Sequence, residues 1–281
     1  MAKLSGRIIS IVSFKGGVGK TSFAANLACA LSSIKKKTIV VDSNFSSPHL
    51  ALHFGLINPT STLNDVLCKK SKIEDAIHIH ESNVHIIPNY PSTMDNPSLF
   101  KNEIKKLKCL YDYVILDCSP SFNNELIVSL GVSDEMIIVS TADYPSLVST
   151  RWAAKIARAK NVNVRGIILN RVRNKKFEIS KGDIEEATGL PVIATIPESM
   201  QALEASSMLM PVFVNNPYGN FAQNYKQIAS IVAGEEYIAD SMWKRIVGMI
   251  SSKIKPQEED IEDKHLQIAE ENLLPPFHPL K

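Results

Sequence analysis

Seven short runs of β-branched and aliphatic residues recur along the chain. They are 7–14 (RIISIVSF), 37–42 (KTIVVD), 83–88 (NVHIIP), 113–117 (YVILD), 135–141 (EMIIVST), 163–170 (NVRGIILN) and 191–197 (PVIATIP). Several are apolar at nearly every position, which a strand needs when a parallel sheet is covered on both faces. Stretches of helical periodicity lie between them, including 20–34, 98–110 and 145–160. Strand–helix alternation repeated this often predicts an α/β fold. The expected form is a doubly wound, mostly parallel sheet of about seven or eight strands with helices on both faces. No internal repeat is visible.

The character changes after residue 234. Residues 1–234 read as one α/β domain, 235–256 as a basic amphipathic segment, and 257–281 as an acidic and Pro-rich tail without the composition of a packed core. The 281 residues carry 31 basic and 29 acidic side chains, a net charge of +2, so a polyanion partner would need a local basic patch. Cys29, Cys68, Cys109 and Cys118 form no CxxC pair. That pattern suits a reducing compartment and argues against a zinc or iron–sulfur site within one chain. No apolar run is long enough to span a bilayer, and the first residues lack the apolar core of a signal peptide. The expectation is a cytoplasmic protein.

Chemistry concentrates in 13–22, SFKGGVGKTS. Gly16, Gly17, Val18, Gly19, Lys20, Thr21 and Ser22 follow a strand and open a helix, the context of a phosphate-binding loop. Glycines let backbone N–H groups ring an oxyanion, and the helix dipole favours negative charge there. Lys20 is placed to reach β- and γ-phosphates, and the Thr21 hydroxyl to bind Mg²⁺. A bare Gly-rich turn has no need of Lys and Thr in that register. Lys15 is not explained by a plain phosphate loop, because a second cation there needs an anion to offset the repulsion.

KGGVGKT resembles the deviant Walker A motif of the MinD/ParA/Mrp family of ATPases, and the likeness extends over roughly residues 5 to 234. It implies ATP and ADP as nucleotides, Mg²⁺ as the metal, and a homodimer on ATP binding, in which Lys15 reaches the nucleotide of the second subunit. A solvated Lys15 beside its own nucleotide is the alternative. VVDSNFSSPHLALHFGL (40–56) resembles the first switch, with Asp42 beside the metal, and VILDCSPS (114–121) the second, with Asp117 holding Mg²⁺ through water. ILNRV (168–172) resembles the base-recognition strand, assigning Asn170 and Arg171 to the nucleotide, and Pro197 and Glu198 in IPES line the other side of the base. The family's bacterial members usually carry a second aspartate where this chain has Asn44. An amide orients water but takes no proton, so the expectation is slow ATP hydrolysis with binding retained. In this feature the chain is similar to archaeal MinD-like proteins.

Beyond the domain, Met242, Trp243, Ile246, Val247, Met249, Ile250 and Ile254 share one side of a helical wheel. Lys244, Arg245 and Lys255 lie opposite, and Lys253 falls on the apolar side. Such a helix suits an anionic membrane surface, and the resemblance implies the same use. A helix packed on its own core shows the same pattern. The leading expectation is a MinD-like switch with peripheral membrane association and a protein activator. The alternative is a ParA-like ATPase that binds DNA non-specifically, with 171–176 (RVRNKK) contributing to its patch. A scaffold of the Mrp type would need the missing CxxC. The histidines of 78–85, His78, His80 and His85, are expected on the surface around a strand, and Cys118 as a small buried residue at the edge of the sheet.

Overall fold

The computed structural model describes residues 6–237. Eight strands form one sheet: β1 (Arg7–Val12), β2 (Thr38–Ser43), β3 (His78–Ile79), β4 (His85–Ile87), β5 (Tyr113–Cys118), β6 (Glu135–Ser140), β7 (Asn163–Val172) and β8 (Val192–Pro197), in the spatial order β3-β4-β2-β5-β1-β6-β7-β8. All pairings are parallel except β3 with β4. All seven strands expected from the sequence are present within one or two residues of their ends. The added strand, β3, has only two residues, so alternation gave no signal for it. It pairs antiparallel at the sheet edge through 80–84.

The helices are α1 (Lys20–Ser33), α2 (Leu63–Leu67), α3 (Pro97–Leu110), α4 (Asn124–Leu130), α5 (Tyr144–Ala159), α6 (Lys181–Thr188), α7 (Met200–Ser207), α8 (Val212–Asn215) and α9 (Asn220–Ala233). Strand residues alternate between two cores. Ile8, Ile39 and Val41 join Phe100, Ile104, Leu126, Ala153 and Ile184 on one face. Ile9, Ile11 and Val40 join Phe23, Leu27, Phe213 and Tyr225 on the other. Helix α1 buries ten of its fourteen residues, because it lies between the sheet and α9. Its Ala24, Ala25 and Ala28 let those layers approach closely.

Helix starts follow ordinary capping rules in α3, α4, α5 and α6, where Asn96, Asn123, Asp143 and Ser180 accept from first-turn amides. Helix α1 has no side-chain cap. At the far end α9 stops at Gly234 in the left-handed conformation, φ +71°, where the sequence places the domain boundary. The proposed helix at 242–254 and the tail 257–281 lie outside the described residues.

The three histidines sit around the β3–β4 hairpin. His78 Nε2 lies 3.0 Å from the Ser61 carbonyl oxygen, His80 Nδ1 2.9 Å from Ser82 Oγ, and His85 Nδ1 2.7 Å from the Tyr111 hydroxyl. Cys118 is fully buried at the C-terminal end of β5, an interior strand of the sheet. No described helix is long and apolar enough to cross a membrane.

Candidate nucleotide site

Chain connections leave the neighbouring strands β1 and β5 in opposite directions, toward β2 and toward β6. Such a switch point opens a crevice outside the carboxyl ends of the strands. Residues 13–19 enter this crevice. Gly17 and Gly19 adopt φ +76° and +89°, a backbone region that L side chains rarely occupy. A Cβ on Gly19 would lie 2.4 Å from Asn170 Nδ2, so glycine is required there for space as well as conformation. The uncapped first turn of α1 adds N–H groups to those of the loop at its positive end.

A cavity of about 400 Å³ opens above the loop. Lys15, Gly16 to Ser22, Asn44, Asn170, Arg171, Pro197 and Glu198 all line it. The sequence-predicted residues thus come together, although they span some 180 positions. The two aspartates lie beneath the cavity wall. Asp42 and Asp117 are register partners on β2 and β5, both buried, and Lys20 Nζ forms an ion pair with Asp117 Oδ1. Asp42 accepts from the backbone N–H of Asn44 at 3.1 Å and of Leu50 at 2.9 Å. Burial, then the adjacent Asp117 carboxylate, push Asp42 up to about 8 against those hydrogen bonds and Lys20. The Ser13 hydroxyl at the loop's start is buried and has no protein partner.

These features fit a bound Mg²⁺–nucleotide: an orphaned hydroxyl, a glycine cradle, a lysine, and a buried pair of carboxylates next to that lysine. Neither the cradle nor the carboxylate pair is explained by packing alone. Two buried acids with one lysine between them are costly without a further cation.

Three contacts could not be read from the sequence. Asn170 donates to the Val18 carbonyl oxygen at 2.7 Å, so one amide hydrogen of this side chain is spent holding the loop. It is delivered by an irregularity in β7, where the pairing jumps from Leu169–Thr195 to Val172–Pro197 and Arg171 takes φ +56°. Asn44 donates from Nδ2 to the Ser47 carbonyl, folding the first-switch turn. Glu198 is gripped in a two-pronged pair by Arg173, with Nε–Oε2 at 2.6 Å and Nη2–Oε1 at 2.7 Å.

Lys15 points outward. Its Nζ donates to Asp143 Oδ1 at 2.8 Å and Ser146 Oγ at 3.0 Å, at the first turn of α5. Burial raises the Asp143 carboxyl, but hydrogen bonds from Lys15, Thr141 and Ser146 outweigh it and hold the group at about 2. Sequence reasoning also missed His53, Leu203, Phe221 and Tyr225, which line the same cavity. Burial lowers the His53 pKa. No local motif marks these residues, because they arrive from a short turn and from helices packed late in the chain.

Fold and loop together define a P-loop nucleotide-binding protein. Residues 6–164 match a family described as an AAA domain. An uncharacterised ATP-binding protein of Methanocaldococcus jannaschii is 31% identical over 259 residues, covering 91% of this chain and 98% of that one. Among solved structures, the cell division ATPase MinD of Pyrococcus furiosus superposes with a TM-score of 0.76 at 28% identity, covering 82% of this chain and 99% of that chain. The septum site-determining protein MinD of Pyrococcus horikoshii, solved as a complex with Mg-ADP, gives 0.75 at 30% identity, covering 81% and 96%. The chain belongs to the MinD/ParA family of ATPases.

Proposed function

We propose that this protein is a MinD-like ATPase switch. It binds ATP with Mg²⁺, dimerises, hydrolyses the nucleotide slowly, and locates itself or a partner at an anionic membrane surface through 242–254. The observation that carries this reading is the division of labour between the two loop lysines. Lys20 is buried and turned inward to Asp117, whereas Lys15, at the cavity's edge, is more than a third exposed and held by Asp143 at the start of α5. A single-subunit enzyme needs only the first.

Bound nucleotide would offer phosphate to both lysines in place of Asp117 and Asp143, and Mg²⁺ would supply the further cation that the buried Asp42–Asp117 pair calls for. Thr21, Asp42 and Asp117 hold the metal, the last through water. Lys20 and the amides of 16–22 orient the phosphates. The remaining amide hydrogen and the oxygen of Asn170 serve the base edge, with Arg171, Pro197 and Glu198 around it. Dimerisation exchanges the Asp143 carboxylate on Lys15 for phosphate of the second subunit. Asn44 must leave Ser47 to orient water and accepts no proton, which is why turnover is slow. The Mg-ADP complex of the Pyrococcus horikoshii relative supports the nucleotide assignment.

Sedimentation of the full chain with ATP, ADP or no nucleotide tests the switch, first alone and then with anionic liposomes. A dimer that forms only with ATP, is lost in Lys15→Ala, and pellets with the liposomes is the expected result. Monomer in every condition sinks the switch. A dimer that ignores liposomes but binds DNA with a steep salt dependence turns the reading toward a ParA-like output. Within 171–176 the Arg173 charge is already matched by Glu198, so that patch is weaker than its sequence suggests.

A further inference from the structure

Helix α5 presents a second, outward surface that the nucleotide site does not use. Val148, Arg151, Trp152, Lys155 and Arg158 fall at the three- and four-residue spacings that align side chains along one face. Val148 is 55% and Trp152 57% exposed. With Ala187 and Thr188 of α6 they line a groove of about 460 Å³. Lys155 Nζ lies 5.6 Å from the centre of the Trp152 ring, and Arg158 donates to the Thr188 carbonyl oxygen at 3.2 Å. No ion pair among the described residues engages Arg151, Lys155 or Arg158. Three unmatched cations around an exposed indole call for an occupant that is both strongly anionic and partly apolar.

The chain itself contains that chemistry. Residues 257–263, QEEDIED, carry five carboxylates around Ile261. Helix α9 packs on the opposite face of the sheet from α5 and α6, so the route to the groove passes around the amino-end pole. Arg165 of β7 donates to the Ile231 carbonyl oxygen near the end of α9, so the chain leaves the domain beside the start of β7. Helix α5 ends four residues before β7 begins, at the same pole of the sheet. Even with 242–254 helical, the chain from 237 to 258 reaches about 45 Å, against a length of about 24 Å for α5.

We infer that residues 257–263 dock in the α5–α6 groove of their own chain, with their carboxylates on Arg151, Lys155 and Arg158 and an apolar contact at Trp152. The docked segment then excludes other acidic ligands from this face. It also sits on the helix whose first turn holds Lys15. This surface is separate from the nucleotide cavity, and its occupancy needs no nucleotide.

Trp152 reports the contact directly. The chain has two tryptophans, so Trp243→Phe leaves Trp152 alone in the full-length protein. Acrylamide quenching is compared with the same chain carrying Glu258→Gln, Glu259→Gln, Asp260→Asn, Glu262→Gln and Asp263→Asn. Neutralising the segment is expected to raise the quenching constant roughly twofold, and about 0.5 M salt to do the same in the acidic chain only. Restored protection when an excess of a synthetic 256–264 peptide is added to the neutralised chain supports the same site. Equal quenching in both chains at every salt concentration overturns the inference. So does protection that disappears on dilution, because the occupant is then a second copy. Unchanged unfolding midpoints establish that both chains are folded when compared.

Discussion

The two poles of the sheet handle charge in opposite ways. At the carboxyl ends of the strands, Lys20, Asp42 and Asp117 are almost completely buried, next to a loop whose Gly17 and Gly19 take positive φ. At the amino ends, Arg7 and Arg165 share Glu135, Lys108 pairs with Asp134, and Lys36 with Glu235, mostly at partly exposed positions. Similar residues thus carry different energetic weight. Exposed pairs contribute little because water already solvates each partner. Buried ones are expensive to assemble and more expensive to break. A fold that concentrates buried charge at one end is built to be completed there by a ligand.

Removing the cation from the buried pole is expected to have the largest effect. Lys20→Met leaves the buried Asp117 carboxylate without its cation and should cost about 3–5 kcal/mol in urea unfolding at pH 8, with nucleotide binding lost. A loss below about 1 kcal/mol at pH 8 would mean that water reaches the pair, and the contrast between poles would fail.

Gly19→Ala comes next. Its Cβ meets Asn170 Nδ2 at 2.4 Å and its φ is +89°, so a penalty of about 1–3 kcal/mol and weakened nucleotide binding are expected. Gly234→Ala, also left-handed but with nothing within 4 Å of the added carbon, should cost only about 1 kcal/mol. If both cost the same, conformation alone matters and the Asn170 contact is incidental.

Asp42 sharpens the comparison through pH. Its folded value near 8 lies above its unfolded value near 4, so the folded chain holds the extra proton between them. Its contribution therefore falls as pH rises through that window. Asp42→Asn should flatten the decline in stability of the nucleotide-free chain from pH 5 to 8 while weakening Mg²⁺-dependent nucleotide binding. A slope unchanged by the substitution would place the buried charge elsewhere. The smallest effect belongs to the opposite pole, where Lys108→Ala should change stability by no more than about 0.5 kcal/mol and less at high salt.

The phosphate loop was legible because its chemistry is local. Glycine spacing, Lys20 and Thr21 are neighbours in the chain, and a strand before and a helix after them suffice to orient the loop. Asp42 and Asp117 were legible as the polar ends of two apolar runs. Asn170 could be picked out only through family likeness, and nothing in ILNRV announces that its amide holds the Val18 carbonyl. The two-residue strand β3, His53 and the Arg173–Glu198 grip carry no periodic or spacing signal at all.

By itself, then, the sequence determined the alternation of strands and helices and the glycine-rich loop between β1 and α1, since each depends on residues within a few positions of one another. Tertiary structure alone decided which way each lysine turns. Lys20 meets Asp117 because β1 and β5 are adjacent, and Lys15 meets Asp143 because α5 begins beside β1's loop. Those partners lie 97 and 128 residues away. Only the packing of the sheet brings them within hydrogen-bond range, and it thereby makes one lysine a buried anchor and the other an exposed arm.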